Sequence, residues 1–221
     1  MFITLFVAKT VQNLGKVVIF SYYPLIGNVM KRLLISSFIA SLLMFVWGAV
    51  FWQSPLPYSA TQMVENQQQV LTELNKVLPD PGTYVLPSAM VPDANMEEVM
   101  AMYEQGPIII AQVSAGKPAF DPIIFAKGFA HYLIIAILLG LAMMRLLPGQ
   151  LDRFTRKFGL AFFAALLMVV FSHGGELIWW GIPVGWTLWT ALYEFIAILI
   201  GGFIMAIGIK PAPQIDIQNE S

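Results

Sequence analysis

Two histidines and two glutamates, His131, His173, Glu176 and Glu194, stand inside stretches otherwise made almost wholly of apolar residues. Imidazole and carboxyl groups exchange protons and ligate transition metals. Near the centre of a bilayer such a group costs at least ~2.5–3.5 kcal/mol on insertion scales, so it needs a partner or a function. Three chemistries fit the set. The first is a hydrogen-bonded network that fixes helix register, with the carboxyls neutral or paired to imidazole. The second is a transition-metal site for iron or copper, although the Glu-x-x-His repeat of carboxylate bundles is absent. The third is a haem b held axially by His131 and His173. Proton, quinone or lipid contact is a further use of the same groups.

The elements that would position these residues are membrane spans. The chain has 221 residues, of which 58% are hydrophobic and 11% charged. A soluble domain carries about 25% charged residues, so the shortage points to solvation by lipid. A helix crosses a bilayer with roughly 20 apolar residues. Four stretches qualify: Leu33 to Phe51, Ile123 to Met144, Phe158 to Ile182 and Val184 to Ile209. Counted inward from one end of their spans at 1.5 Å per residue, His131, His173 and Glu194 lie ~12–15 Å deep, with Glu176 about one turn shallower. Gly174 and Gly175 offer a close backbone approach beside the third-span pair, and Ser37, Ser41 and Gly48 give the first span a face of small residues.

Basic residues set the orientation. Lys9, Lys16, Lys31, Arg32, Arg145, Arg153, Arg156, Lys157 and Lys210 fall on one side, against Lys76, Lys117 and Lys127 on the other. The richer side is cytoplasmic by this rule, which places both termini inside and residues 54–122 outside. Trp47, Trp52, Trp179, Trp180, Trp186 and Trp189 cluster at the outer ends as an aromatic belt. The expected division is residues 1–29 as an interfacial helix or an extension ahead of a start at Met30, residues 30–53 as the first span, 54–122 as a periplasmic α/β cap, 123–210 as spans two to four, and 211–221 as a polar tail. The interfacial reading rests on Val7, Val11, Leu14 and Val18 at helical spacing, with Lys9, Asn13 and Lys16 opposite.

In the external segment the pattern predicts helix, strand, helix, strand. Ser59 is a cap for a first helix with Met63, Val70, Leu74 and Val77 as its stripe, and Pro79-Asp80-Pro81-Gly82 breaks it. Thr83 to Leu86 and Ile108 to Val113 read as strands. Between them Asp93 or Asn95 caps a helix that Gly106 ends. The segment carries eight carboxylates against two lysines, which reads as a solvated surface. Met96, Met100 and Met102 suit copper(I) by softness, yet methionine is also ordinary core filling, the better reading where no histidine is near.

The chain has no cysteine, and its net charge is −1. Disulfides and thiolate chemistry are excluded, and nothing points to a nucleic-acid partner. No nucleophile triad, phosphate loop or nucleotide fingerprint occurs, so no catalytic residue is assigned.

Met30 to Lys210 resembles a family of small, functionally uncharacterised bacterial integral membrane proteins. The resemblance lies in ordered motifs: Met30-Lys31-Arg32-Leu33-Leu34 up to Phe45-Val46-Trp47-Gly48, then Gly82-Thr83-Tyr84-Val85-Leu86-Pro87, Tyr103-Glu104-Gln105-Gly106-Pro107-Ile108, Asp121-Pro122, and Trp179-Trp180-Gly181-Ile182-Pro183 before Trp186-Thr187-Leu188. It implies the four-span topology and an acidic residue at Glu194, and it supplies no activity. The fold expected is mostly α: a four-helix transmembrane bundle with a small α/β cap in a bacterial inner membrane. The role expected is an accessory, structural or partner-binding subunit in contact with lipid and with a membrane protein or a second copy. A metal- or haem-dependent redox protein is the alternative.

Overall fold

The computed structural model describes the backbone of residues 2–147 and 149–211, and side chains from Gly27 onward within that range. The stripe of Val7, Val11, Leu14 and Val18 and the tail after Pro211 lie outside the described residues. The chain forms two compact units, residues 1–61 with 122–221, and residues 62–121.

The first unit is a bundle of helices α1 (Phe2–Gln53), α4 (Pro122–Leu146), α5 (Phe154–Trp179) and α6 (Val184–Gly208). Each contains a stretch long and apolar enough to cross a membrane, in α1 the part from Gly27 to Gln53. Lipid offers the backbone no hydrogen-bond partner, so these segments close their own i to i−4 bonds as helices. Pro122 opens α4 and Pro183 precedes α6, where a missing N–H costs nothing. Gly181, at φ +60°, turns the chain between α5 and α6, and the Ile182 N–H donates to the Glu176 carbonyl at 3.2 Å. The four residues from Trp180 to Pro183 suffice to join the two helices as a hairpin.

Helix α6 packs along α5 and α1, and α1 packs on α4, whereas α4 and α5 scarcely meet. Small residues make the close contacts. A Cβ on Gly202 would run into the Ala161 Cβ, one on Gly208 into Ser36, and one on Gly201 would sit 2.7 Å from the Met44 sulfur. Ser37 and Ser41 are fully buried on α1; the Ser37 hydroxyl lies 3.8 Å from the Met205 sulfur, and that of Ser41 donates to the Phe38 carbonyl. At the tryptophan-rich end Phe51 stacks on Tyr193 at 5.1 Å, and Trp52 meets Trp186 at 6.0 Å.

Two details differ from the sequence expectation. Gly174 and Gly175 face no neighbouring helix, since a Cβ on Gly174 would meet nothing within 4 Å and one on Gly175 only Trp179 of its own helix. Lys157, just ahead of the expected third span, belongs to the helix. It sits in the first turn of α5, 2% exposed, and its ammonium donates to the Ile209 carbonyl at 2.5 Å. That bond satisfies an orphan carbonyl past the end of α6.

The second unit holds α2 (Gln67–Val77), β1 (Gly82–Leu86), α3 (Met96–Gln105) and β2 (Ile109–Val113). The strands pair antiparallel, with Gly82 opposite Val113 and Leu86 opposite Ile109. Asn95, not Asp93, caps α3. Its side chain accepts from the Glu97 N–H at 3.0 Å and donates to the Glu98 carboxyl. Gly106, at φ +63°, ends that helix. Helix α2 begins after Asn66 rather than at Ser59, so Met63 lies ahead of it; Ser59 belongs to a short 3-10 turn of the first unit, Pro57–Ala60.

Candidate polar site of the helix bundle

Helices α5 and α6 bring together three of the four ionisable residues. Spacing of three residues sets His173 and Glu176 on one face of α5, and His173 Nδ1 lies 2.8 Å from Glu176 Oε2. On the facing helix Glu194 turns its Oε2 to His173 Nε2 at 3.1 Å. The ring is buried, with its side chain 6% exposed, while the two carboxyl side chains are 38% and 39% exposed. Glu194 shares its helix face with Thr190, Ala197 and Gly201, and the last two are buried; the close approach of α6 to α5 is made by Gly202 against Ala161.

His131 stands apart from them. It is exposed on α4, and its ring contact is with Tyr132 at 5.5 Å. The geometry of α4 explains this. Its buried face runs through Ala136, Gly140 and Met143, and one turn back along that row is position 132 rather than 131. Tyr132 therefore turns inward, and its hydroxyl hydrogen-bonds the Tyr193 hydroxyl of α6. The Trp47 indole of α1 donates to the Tyr193 carbonyl at 3.1 Å. Gly48 leaves space for the pair, since a Cβ there would sit 3.1 and 3.2 Å from the two hydroxyls. This second polar contact is masked in the sequence, where each tyrosine adjoins an ionisable residue, His131 or Glu194. The signal was present in the row of alanine and glycine four residues apart.

Proton bookkeeping limits what the triad can do. A neutral imidazole has one N–H and one lone pair, so it can donate to one carboxylate and accept from one carboxylic acid. An imidazolium can instead donate to two carboxylates. Both arrangements hold the same number of protons and the same net charge, and they differ only in where one proton sits. A proton taken up at one carboxyl can thus leave from the other through the ring. In both arrangements neither ring nitrogen has a lone pair left for a metal. Among the described residues no group of three or more histidine, aspartate or glutamate side chains is arranged to hold a metal ion. No buried side-chain nitrogen or oxygen among them lacks a hydrogen-bond partner.

Comparison of the chain with protein-family models, with curated proteins and with solved structures finds no match. The four apolar helices make it a multi-pass membrane protein in contact with lipid.

Proposed function

We propose that this chain is an accessory subunit of a bacterial inner-membrane assembly, which binds its partner protein through the second unit. The observation that carries the reading is the apolar surface of that unit. It spans 60 residues, Gln62–Asp121, and a domain of that size is marginal even with a full core. Here only Leu78, Pro87 and Val99 are buried. Met63 is 97% exposed, Met90 92%, Val77 70% and Leu71 61%. Val70, Leu74 and Val77 form one face of α2, a helix with no buried residue. A pair of strands does not sustain itself in water, and contiguous exposed apolar surface marks a place of association. The triad agrees with this reading, because its polar groups satisfy one another and need no substrate.

A photo-crosslinking residue at Leu74 or Ile109, in native membranes, should give a discrete adduct that the same probe at Lys117 does not. Leu74→Asp should abolish both the adduct and the co-purifying protein while the bundle still melts cooperatively. A strictly monomeric protein with no adduct at either apolar position would end the proposal. An adduct with a second copy would make the partner the chain itself.

The orientation proposed has residues 54–122 in the periplasm and both termini in the cytoplasm, on the asymmetry of nine basic residues against three. The chain has no cysteine, so single-cysteine labelling is clean. Cysteine at Asn66 should react from outside intact cells, and cysteine at Asp152 only after permeabilisation. The opposite pattern would invert the topology.

A further inference from the structure

The basic end of the bundle carries a feature that neither the triad nor the second unit uses. A cavity of about 920 Å³ opens where α1, α5 and α6 meet the turn before α5. Arg32, Lys157 and Lys210 line it, and Asp152 is the one carboxylate in its wall. Among the described residues no carboxylate lies within ion-pair distance of those three cations. Lys157 is the informative member. A buried ammonium has three N–H donors, and the described residues accept one of them, at the Ile209 carbonyl. Charges from α1, α5 and the segment that follows α6 thus converge on a space large enough for a ligand, three cations against the single carboxylate of Asp152, with donors to spare.

The remaining wall identifies the kind of anion. Phe154 and Ile207 are apolar faces of the same cavity. The Phe154 ring stacks on Phe158 at 5.6 Å and meets Phe203 edge-on at 5.5 Å. Phe158 and Phe203 in turn line a second hollow of about 370 Å³, which runs between Leu43, Ile196 and Ile200 and has only apolar side chains in its walls. A cationic chamber and an apolar groove on either side of one cluster of three rings match a molecule with a phosphate at one end and hydrocarbon at the other. A free phosphate would use the chamber and leave the groove without purpose.

We infer that Arg32, Lys157 and Lys210 form a binding site for the phosphate of an anionic phospholipid, with one acyl chain in the groove behind Phe154. Basic pockets between spans are where such headgroups bind in membrane proteins. The site ties α1, α5 and the segment after α6 to one another through the lipid, because each supplies one cation.

The test uses the full chain, purified and delipidated in neutral detergent. Thermal unfolding is followed with added phosphatidylglycerol, with phosphatidylcholine of the same acyl chains, and with inorganic phosphate. Phosphatidylglycerol should raise the melting temperature at concentrations where the other two do not. Arg32→Gln and Lys210→Gln should each weaken the apparent affinity about fivefold, as expected for roughly one surface charge apiece. Lys31→Gln, one residue from Arg32 and outside the cavity wall, should change it by less than about twofold, because solvent and salt screen a charge that does not touch the phosphate. Three results would overturn the inference. Equal shifts with phosphatidylcholine would mean that the charge plays no part. A matching shift with phosphate alone would assign the chamber to a free anion. An effect of Lys31→Gln as large as that of Lys210→Gln would reduce the site to diffuse surface attraction.

Discussion

Valine at Gly202 should lower the melting temperature of the detergent-solubilised protein by several degrees. The hydrogen of Gly202 faces the Ala161 Cβ, and a Cβ placed at 202 would overlap it. The obstructing atom is bonded to the α5 backbone, so it cannot swing aside as the end of a long side chain can. Helices α5 and α6 must separate, and the separation strains the hydrogen bond between His173 and Glu194 on the same pair. Overpacking of this kind costs about 1–3 kcal/mol or more. Gly159→Ala is the matched control. A Cβ there meets nothing within 4 Å, and the exchange removes backbone freedom from the unfolded chain, worth up to about 1 kcal/mol in favour of the helix. If both variants melt together, the close contact between α5 and α6 is not a determinant of the fold.

The same pair of helices illustrates what a sequence can and cannot show. The four spans were legible because a bilayer demands some twenty apolar residues per helix and leaves no other way to satisfy the backbone. The strands at Thr83 and Ile108, and the stop at Gly106, were legible from local chemistry alone. Which glycines meet a neighbour was not legible. Gly174-Gly175 and Gly201-Gly202 look alike as dipeptides, yet only the second pair lies at a crossing. That depends on helix rotation, which the whole set of contacts fixes together. His131 shows the same gap. Depth along the axis can be counted from sequence, and it put His131 level with His173. The azimuth around the axis is separate, and on α4 it turns Tyr132 inward in its place. The order of packing, with α6 between α5 and α1, further separates α4 from α5. Lys157, just ahead of the expected third span, is buried on the Ile209 carbonyl at the end of another helix, a partner that no local pattern reveals.

Removal of the imidazole should separate the two histidines sharply. His173→Ala deletes a ring bonded to carboxyls of two helices at 2.8 and 3.1 Å. Intramembrane hydrogen bonds are worth about 0.6 kcal/mol on average and up to about 1.7 each, so the loss should be about 1–3 kcal/mol. Glu194→Ala should cost about 0.6–2 kcal/mol, because it removes the one of the triad's two hydrogen bonds that joins α5 to α6. His131→Ala should stay within about 0.5 kcal/mol, as expected for an exposed side chain. The double change His173→Ala with Glu194→Ala is the decisive measurement. Groups that share a bond are not additive, so the double variant should lose less than the sum of the two single losses. Unfolding in detergent, followed by tryptophan fluorescence, would supply all four values. Strict additivity would mean that the imidazole and the Glu194 carboxyl do not hold each other. Equal losses for His131→Ala and His173→Ala would mean that the burial of His173 contributes nothing beyond that of an exposed ring. The network predicts neither result, because a buried ring between two carboxyls has no equivalent partner to turn to in hydrocarbon.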